Sequence, residues 1–143
     1  MKTLQQVLNQ KANQGIISIA PNRPVYDALV ILAEYKIGAL AVIKNGELVG
    51  IFSERDYARE IILKGRSSKT TEVSEVMTNK VITGKPDELV ESAMNTMLEK
   101  RFRHLPVVEN GKMLGMLSIG DILKETITYQ QELIKQLESY IHS

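Results

Sequence analysis

The sequence predicts an α/β (α+β) protein made of two β-α-β-β-α repeats, with a short helix in front and an extended helix behind. Three observations predict it. Gly50 aligns with Gly115, 65 positions on, and that offset holds without a gap from Ile17–Ile62 to Ile82–Ile127. Identical pairs such as Pro21/Pro86, Ala28/Ala93, Leu40/Leu105, Val42/Val107, Ser53/Ser118 and Asp56/Asp121 keep the register over 46 positions. Each copy carries an Asn-Gly dipeptide between apolar runs, which signals a two-residue hairpin turn because both central residues must take positive φ. Each copy also spaces apolar residues at i, i+3, i+4 and i+7: Val25, Ala28, Leu29, Leu32 and Val90, Ala93, Met94, Met97. Two repeats are too few for an open solenoid, which needs about three. They can bury each other's apolar faces as a closed pair.

In chain order, "TLQQVL" (Thr3–Leu8) and "EVSEVM" (Glu72–Met77) read as short lead helices. "IISIA" and "KVITG" follow as short strands, each ended by a proline-containing turn. "PVYDALVILAEYK" and "DELVESAMNTMLEK" are the periodic helices. "ALAVIKNGELVGIF" and "HLPVVENGKMLGML" are the hairpins, and a helix starts at Ser53 and again at Ser118. "LKGRSSKTT" (Leu63–Thr71) is polar and rich in Gly, Ser and Thr, so it joins the repeats. The expected boundaries are 1–64 for repeat 1 with its lead helix, 65–80 for the linker and second lead helix, and 81–143 for repeat 2 with the C-terminal extension. That last helix continues past the repeat with Ile127, Ile134, Leu137 and Ile141 on one stripe. The stripe must pack on something, and a second copy of the chain is the simplest candidate.

Composition narrows the function. Apolar residues are 43% of the chain, with no Trp and two Phe, so the core is aliphatic. Lys and Arg number 18 against 17 Asp and Glu, without the basic excess of a nucleic-acid binder. Without cysteine there is no disulfide, no Cys-ligated zinc and no thiol nucleophile; no metal is expected. The N-terminal residues lack the apolar core of a signal peptide, and no run of 18 apolar residues occurs. A cytoplasmic protein without a membrane span is expected.

The repeated corner carries the chemistry. "GIFSERD" and "GMLSIGD" share Gly, two apolar residues, Ser, two variable residues and Asp. Ser-x-x-Asp before an apolar run is a near capping box, with the acid placed against the helix dipole. The same parts suit a nucleotide. A helix N-terminus attracts phosphate, a Ser hydroxyl can donate to it, and an acceptor-only carboxylate suits the two hydroxyls of a ribose. The glycine allows close approach of a ligand or another backbone.

These residues, twice and in register, resemble a pair of CBS domains, named for cystathionine β-synthase, and most of all the small stand-alone bacterial pairs. The resemblance covers about residues 16 to 127. It implies two units packed about a pseudo-twofold axis, with adenosine-containing ligands in the clefts: AMP, ADP, ATP, NAD(H) or S-adenosylmethionine. By position, Asp56 and Asp121 would hold ribose hydroxyls, and Ser53 and Ser118 would reach phosphate. Ile17, Ser18, Ile82 and Thr83 would line adenine pockets. The copies differ where charge matters. Glu54-Arg55 in repeat 1 stands where Ile119-Gly120 stands in repeat 2, and Arg103-His104 stands where Gly38-Ala39 does. Arg55, Arg59, Arg103 and His104 are the candidate phosphate contacts, since a guanidinium offers a rigid fork of donors. Pro106, beside that pair, and Gly38, Ala39, Ile119 and Gly120 at the matching positions complete the candidate nucleotide-binding set. Lys36 and Arg101 occupy equivalent helix ends, where pairing with the dipole explains them.

An enzyme is not expected. Ser118, His104 and Asp121 supply the residue types of a triad, but Ser and Asp at i and i+3 on a helix start leave the Asp no role in orienting a His. Nucleophile-elbow, metalloprotease, phosphate-loop and Rossmann glycine patterns are all missing. The expected function is a regulatory module that senses an adenine nucleotide or NAD(H) and signals to an unidentified protein, as a homodimer. The alternatives are an interaction or scaffold module with vestigial sites and, behind it, a nucleotide hydrolase.

Overall fold

A computed structural model describes residues 1–11 and 15–142. Along the chain run α1 (Leu4–Gln10), β1 (Ser18–Ile19), α2 (Val25–Tyr35), β2 (Ala39–Lys44), β3 (Glu47–Ser53) and α3 (Glu54–Asp56). A π-helical stretch (Tyr57–Ile62) continues α3. Then come α4 (Val73–Val76), α5 (Val90–Lys100), β4 (His104–Glu109), β5 (Lys112–Ser118) and α6 (Ile119–His142). The mixed α/β class is as expected, and the order of elements repeats except for the first strand of repeat 2.

Local sequence explains most of this. Asn45 and Gly46, at φ 53° and 80°, and Asn110 and Gly111, at φ 53° and 80°, make the two hairpin turns with positive φ at both central residues. Helices α2 and α5 both stop on a left-handed residue, Lys36 at φ 54° and Arg101 at φ 59°. Their place at the helix ends is thus first a matter of backbone geometry, in a conformation usually left to glycine.

The chain divides into two compact units. One holds β1, α2, β2, β3, α3, the π stretch and α4, with Val25, Ala28, Leu40, Val42, Phe52, Ile61 and Val73 in its core. There β1 runs parallel to β2, with Ser18 opposite Ala41, and β2 runs antiparallel to β3. The other holds α1, α5, β4, β5 from Leu114 on, and α6, around Leu4, Val7, Val90, Ala93, Met97, Leu105, Val107, Leu117 and Ile122.

The lead helices depart from the expected boundaries. Helix α1 precedes repeat 1 but packs in the unit of repeat 2, and α4 precedes repeat 2 but packs in the unit of repeat 1. Leu4 and Gln5 donate their amides to the carbonyls of Glu88 and Pro86, at 2.9 and 3.0 Å. Correspondingly, Ser74 and Val73 donate to Pro21 and Arg23, at 2.9 Å each. Each lead helix therefore caps the proline turn of the other repeat. Its apolar side chains fill that unit, with Leu4 and Val73 both fully buried.

The strand expected at "KVITG" shrinks to one bridge, Gly84 with Val107. Gly84 donates to the Pro106 carbonyl (2.8 Å) and accepts from the Val108 amide (2.9 Å). The next bond of a parallel ladder would need an N–H on Pro106, which proline lacks. At the matching place in repeat 1 stands Ala41, and β1 forms.

Candidate functional site

In both units the candidate corner is the junction of the second hairpin strand with the following helix. Ser53 closes β3, its amide donating to Asp56 Oδ2 (2.9 Å) and its hydroxyl to the same oxygen (3.0 Å). The Asp56 amide donates back to Ser53 Oγ (3.2 Å). Ser118 and Asp121 repeat the pattern: Ser118 amide to Asp121 Oδ2 at 2.8 Å, and Asp121 amide to Ser118 Oγ at 3.1 Å. The capping box is therefore complete at both corners, with aspartate in the role usually taken by glutamate or glutamine. It also orients each carboxylate, leaving both side chains half-buried.

The corner is finished by a residue the sequence reading missed. After α4, Thr78 exchanges two backbone hydrogen bonds with Ile51, at 2.8 and 2.9 Å, and its hydroxyl donates to Asp56 Oδ1 (3.1 Å). After α1, the Lys11 ammonium donates to Asp121 Oδ2 (2.9 Å) and to the Met116 carbonyl (3.0 Å). The motif glycines make this possible. A Cβ on Gly50 would come within 2.5 Å of Met77 Sδ and 2.9 Å of the Thr78 carbonyl, and one on Gly115 within 2.7 Å of a Leu8 methyl. The close approach expected at these glycines is thus made by the lead segments of the chain itself. No pattern ties Lys11 or Thr78 to the motif, because each pairs with it through tertiary packing.

The two carboxylates differ in electrostatics. Burial pushes the Asp121 carboxyl up. The Ser118 amide, and after it the Lys11 ammonium, outweigh that and hold it below its ordinary range. The ion pair is part-exposed, with side-chain exposures of 39% for Lys11 and 26% for Asp121, so it is worth well under a buried one.

The other candidates divide by exposure. Gly38 and Arg103 each offer a carbonyl to the first helical amide, Glu54 at 3.1 Å and Ile119 at 2.8 Å, so both stand beside their Asp corner. Ala39 lies opposite Ser53 and is buried, as is Pro106. Their side chains are packed in the unit, which leaves backbone groups as what they could offer a ligand. Arg55, Arg59 and Arg103 are exposed, and none has an ion pair among the described residues. Arg23 and Arg66, by contrast, pair with Asp27 and Glu75. Arg59 lies on the π stretch, whose wider winding turns it relative to Arg55. His104 and Ile119 are half-buried, Gly120 exposed. Ile17 is half-buried beside β1, Ser18 is exposed on it, and Ile82 and Thr83 are exposed just before Gly84. Among the described residues no three His, Asp or Glu side chains are grouped to hold a metal, and no helix is long and apolar enough to cross a membrane.

Comparison with known proteins agrees with this architecture. The family model "CBS domain" matches twice, over residues 11–63 and 73–127. A mitochondrial CBS domain-containing protein of Arabidopsis thaliana is 45% identical over 122 residues, 82% of this chain. That match spans 59% of the plant protein, so the chain corresponds to about three-fifths of that relative. The structure of a CBS-domain protein from Burkholderia ambifaria superposes with a TM-score of 0.84 at 44% identity, covering 89% of this chain and 95% of that one. A CBS domain pair crystallised with 5′-methylthioadenosine and S-adenosyl-L-methionine shares the fold. Its TM-score is 0.78 at 23% identity, and it covers 90% of this chain and 98% of that one.

Proposed function

The chain belongs to the CBS-domain family as a tandem pair, and from that premise we propose that it is a regulatory module that binds an adenosine-containing nucleotide and passes the binding state to another protein. One observation carries the reading. Two half-exposed carboxylates, Asp56 and Asp121, stand at the same place in both repeats, each oriented by its own serine amide. A fixed carboxylate is an acceptor for the vicinal hydroxyls of a ribose. Arg55 in one unit and Arg103 in the other, exposed and without an ion pair among the described residues, suit the phosphates of AMP, ADP, ATP or NAD(H). The related fold that carries 5′-methylthioadenosine and S-adenosyl-L-methionine belongs to the same ligand class in that protein. The module works as a homodimer and has no catalytic role of its own.

Thermal unfolding with a nucleotide panel tests this. A ligand at about 100 times its Kd, bound only to the folded state, adds roughly 2.7 kcal/mol, or roughly 5–10 °C for a chain of this size. At least one of AMP, ADP, ATP, NAD⁺ and NADH should stabilise the ligand-free protein, and GMP and CMP should do less. No shift from any adenine compound at millimolar concentration would overturn the reading. Analysis of the bound nucleotide after incubation would expose a hydrolase by its products.

The completed capping boxes favour a second reading. Ser53–Asp56 and Ser118–Asp121 hold the fold whether or not a ligand binds. An interaction module with vestigial sites would keep them for that reason alone. Such a protein would give a flat nucleotide panel while still binding its partner.

A further inference from the structure

We infer that the distal half of α6 is a self-association surface on which two copies of this chain pair antiparallel, and that Lys124 and Glu138 set that direction. The inference rests on the self-association within the proposed function and says where and how it occurs.

The family match ends at residue 127, but α6 runs on to His142. Its first turns have a core face in which Ile122 and Glu125 are buried, Glu125 paired with Lys2. From Gln130 onward every described residue is exposed. Leu123, Ile127, Gln130, Ile134, Leu137 and Ile141 alternate at spacings of three and four, the a/d pattern of a two-stranded coiled coil. At about 100° per residue the six positions lie roughly 60–140° round the helix from Ile122, on the side away from Glu125, so the unit's own core does not cover the stripe. Ile134, Leu137 and Ile141 are 54%, 61% and 73% exposed. Apart from Gln130 the six positions are Ile at a and Leu at d, an apolar seam that a second helix can cover.

Charge complementarity selects the partner and its direction. Lys124, Gln131 and Glu138 occupy the flanking e positions. In an antiparallel pair e faces e, and a of one helix packs beside d of the other. With Ile127 beside the partner's Leu137, and Leu123 beside the partner's Ile141, Gln131 lies at the dyad. Lys124 then faces the partner's Glu138 at both ends. In a parallel pair e faces g, and the groups brought together are Thr126 with Gln131 and Leu133 with Glu138, neither an ion pair. A second copy run antiparallel satisfies both the apolar seam and the charges.

The test uses the full chain and sedimentation equilibrium across a concentration series. Lys124→Glu and Glu138→Lys should each weaken the dimer by roughly tenfold or more, because each creates two like-charge contacts where attraction stood. The double variant should restore most of the loss, and at a dilution where every protein is monomeric all three variants should melt at the wild-type temperature. Because the chain has no cysteine, Lys124→Cys with Glu138→Cys should form a disulfide-linked dimer on mild oxidation, while Ile134→Cys alone should not. A wild-type dimer indifferent to both charge reversals would leave self-association standing but move it off α6. Single-variant losses that fail to cancel, or ready crosslinking of Ile134→Cys, would overturn the antiparallel arrangement. A wild-type monomer at tens of micromolar would overturn both the inference and the homodimer it rests on.

Discussion

The corner at Asp56 and the corner at Asp121 share one backbone device and differ in what touches it. Both close a hairpin with a Ser-x-x-Asp capping box, and in both a lead segment folds back over the motif glycine. At Asp56 the visitor is a neutral hydroxyl, Thr78; at Asp121 it is an ammonium, Lys11. The helix beyond is π-wound in one repeat and α-helical in the other. Arg55 stands beside the first carboxylate where Gly120 stands beside the second. Duplication has thus kept what the backbone needs and let the electrostatics diverge. On the proposed function, a ribose at Asp56 would compete with a hydrogen bond from a neutral hydroxyl, whereas one at Asp121 would compete with an ion pair.

The largest effect that can break this comparison is loss of either carboxylate. A hydrogen bond to a charged group is worth about 1.5–3 kcal/mol. Asp56→Ala and Asp121→Ala should each weaken nucleotide binding in their own unit by about tenfold to over a hundredfold. Each should also lose roughly 1 kcal/mol of stability with the cap. Calorimetric titration with AMP and with NADH reads the binding, and urea unfolding reads the cap. Equal losses with the same ligand ranking in both variants would show that the divergence has no functional meaning.

The two first strands come next. Ala41→Pro should reduce β1 to the state seen in repeat 2, at a cost of about 0.5–1.5 kcal/mol for one ladder bond. Pro106→Ala should give back a donor toward the Ile82 carbonyl, with slowed amide exchange at residue 106. Fast exchange there would mean that something other than the proline ends the ladder.

The Lys11–Asp121 pair should be worth less, about 0.2–1 kcal/mol, because both side chains are part-exposed. Its pH dependence has a definite sign. The folded Asp121 pKa lies below its ordinary value, so the stabilisation is fully present above the unfolded value of about 3.9. It is lost as pH falls through the lower folded value. Lys11→Met should make acid unfolding begin at higher pH, and Thr78→Val should leave the Asp121 contribution unchanged. Urea midpoints followed from pH 7 into the acid range check both, and coincident profiles for wild type and Lys11→Met would remove the electrostatic half of the comparison.

The smallest effects belong to the exposed arginines. Arg55→Ala and Arg103→Ala should each lower affinity several-fold at most, within the range of exposed charge contacts, and shift the preference between mono- and polyphosphate ligands differently. Identical shifts in both variants would make the two units electrostatically equivalent toward phosphate.

Much of this molecule is legible in the sequence, because much of it is decided by neighbours along the chain. The hairpin turns need positive φ at adjacent residues, the capping boxes reach three residues, and the helices repeat at 3.6; each leaves a pattern in a short window. The duplication then reports the repeat architecture without further geometry. Even the missing strand of repeat 2 has its sign in Pro106, within an apolar run that must donate to a neighbour. Tertiary structure decided the rest. Helix α1 docks on the proline turn of the distant repeat, Lys11 reaches an aspartate 110 positions away, and Thr78 reaches one 22 positions away. These pairings depend on burying Leu4 and Val73 in whichever unit has the complementary space. Close packing reads shape across the fold, and no local window of residue types records it.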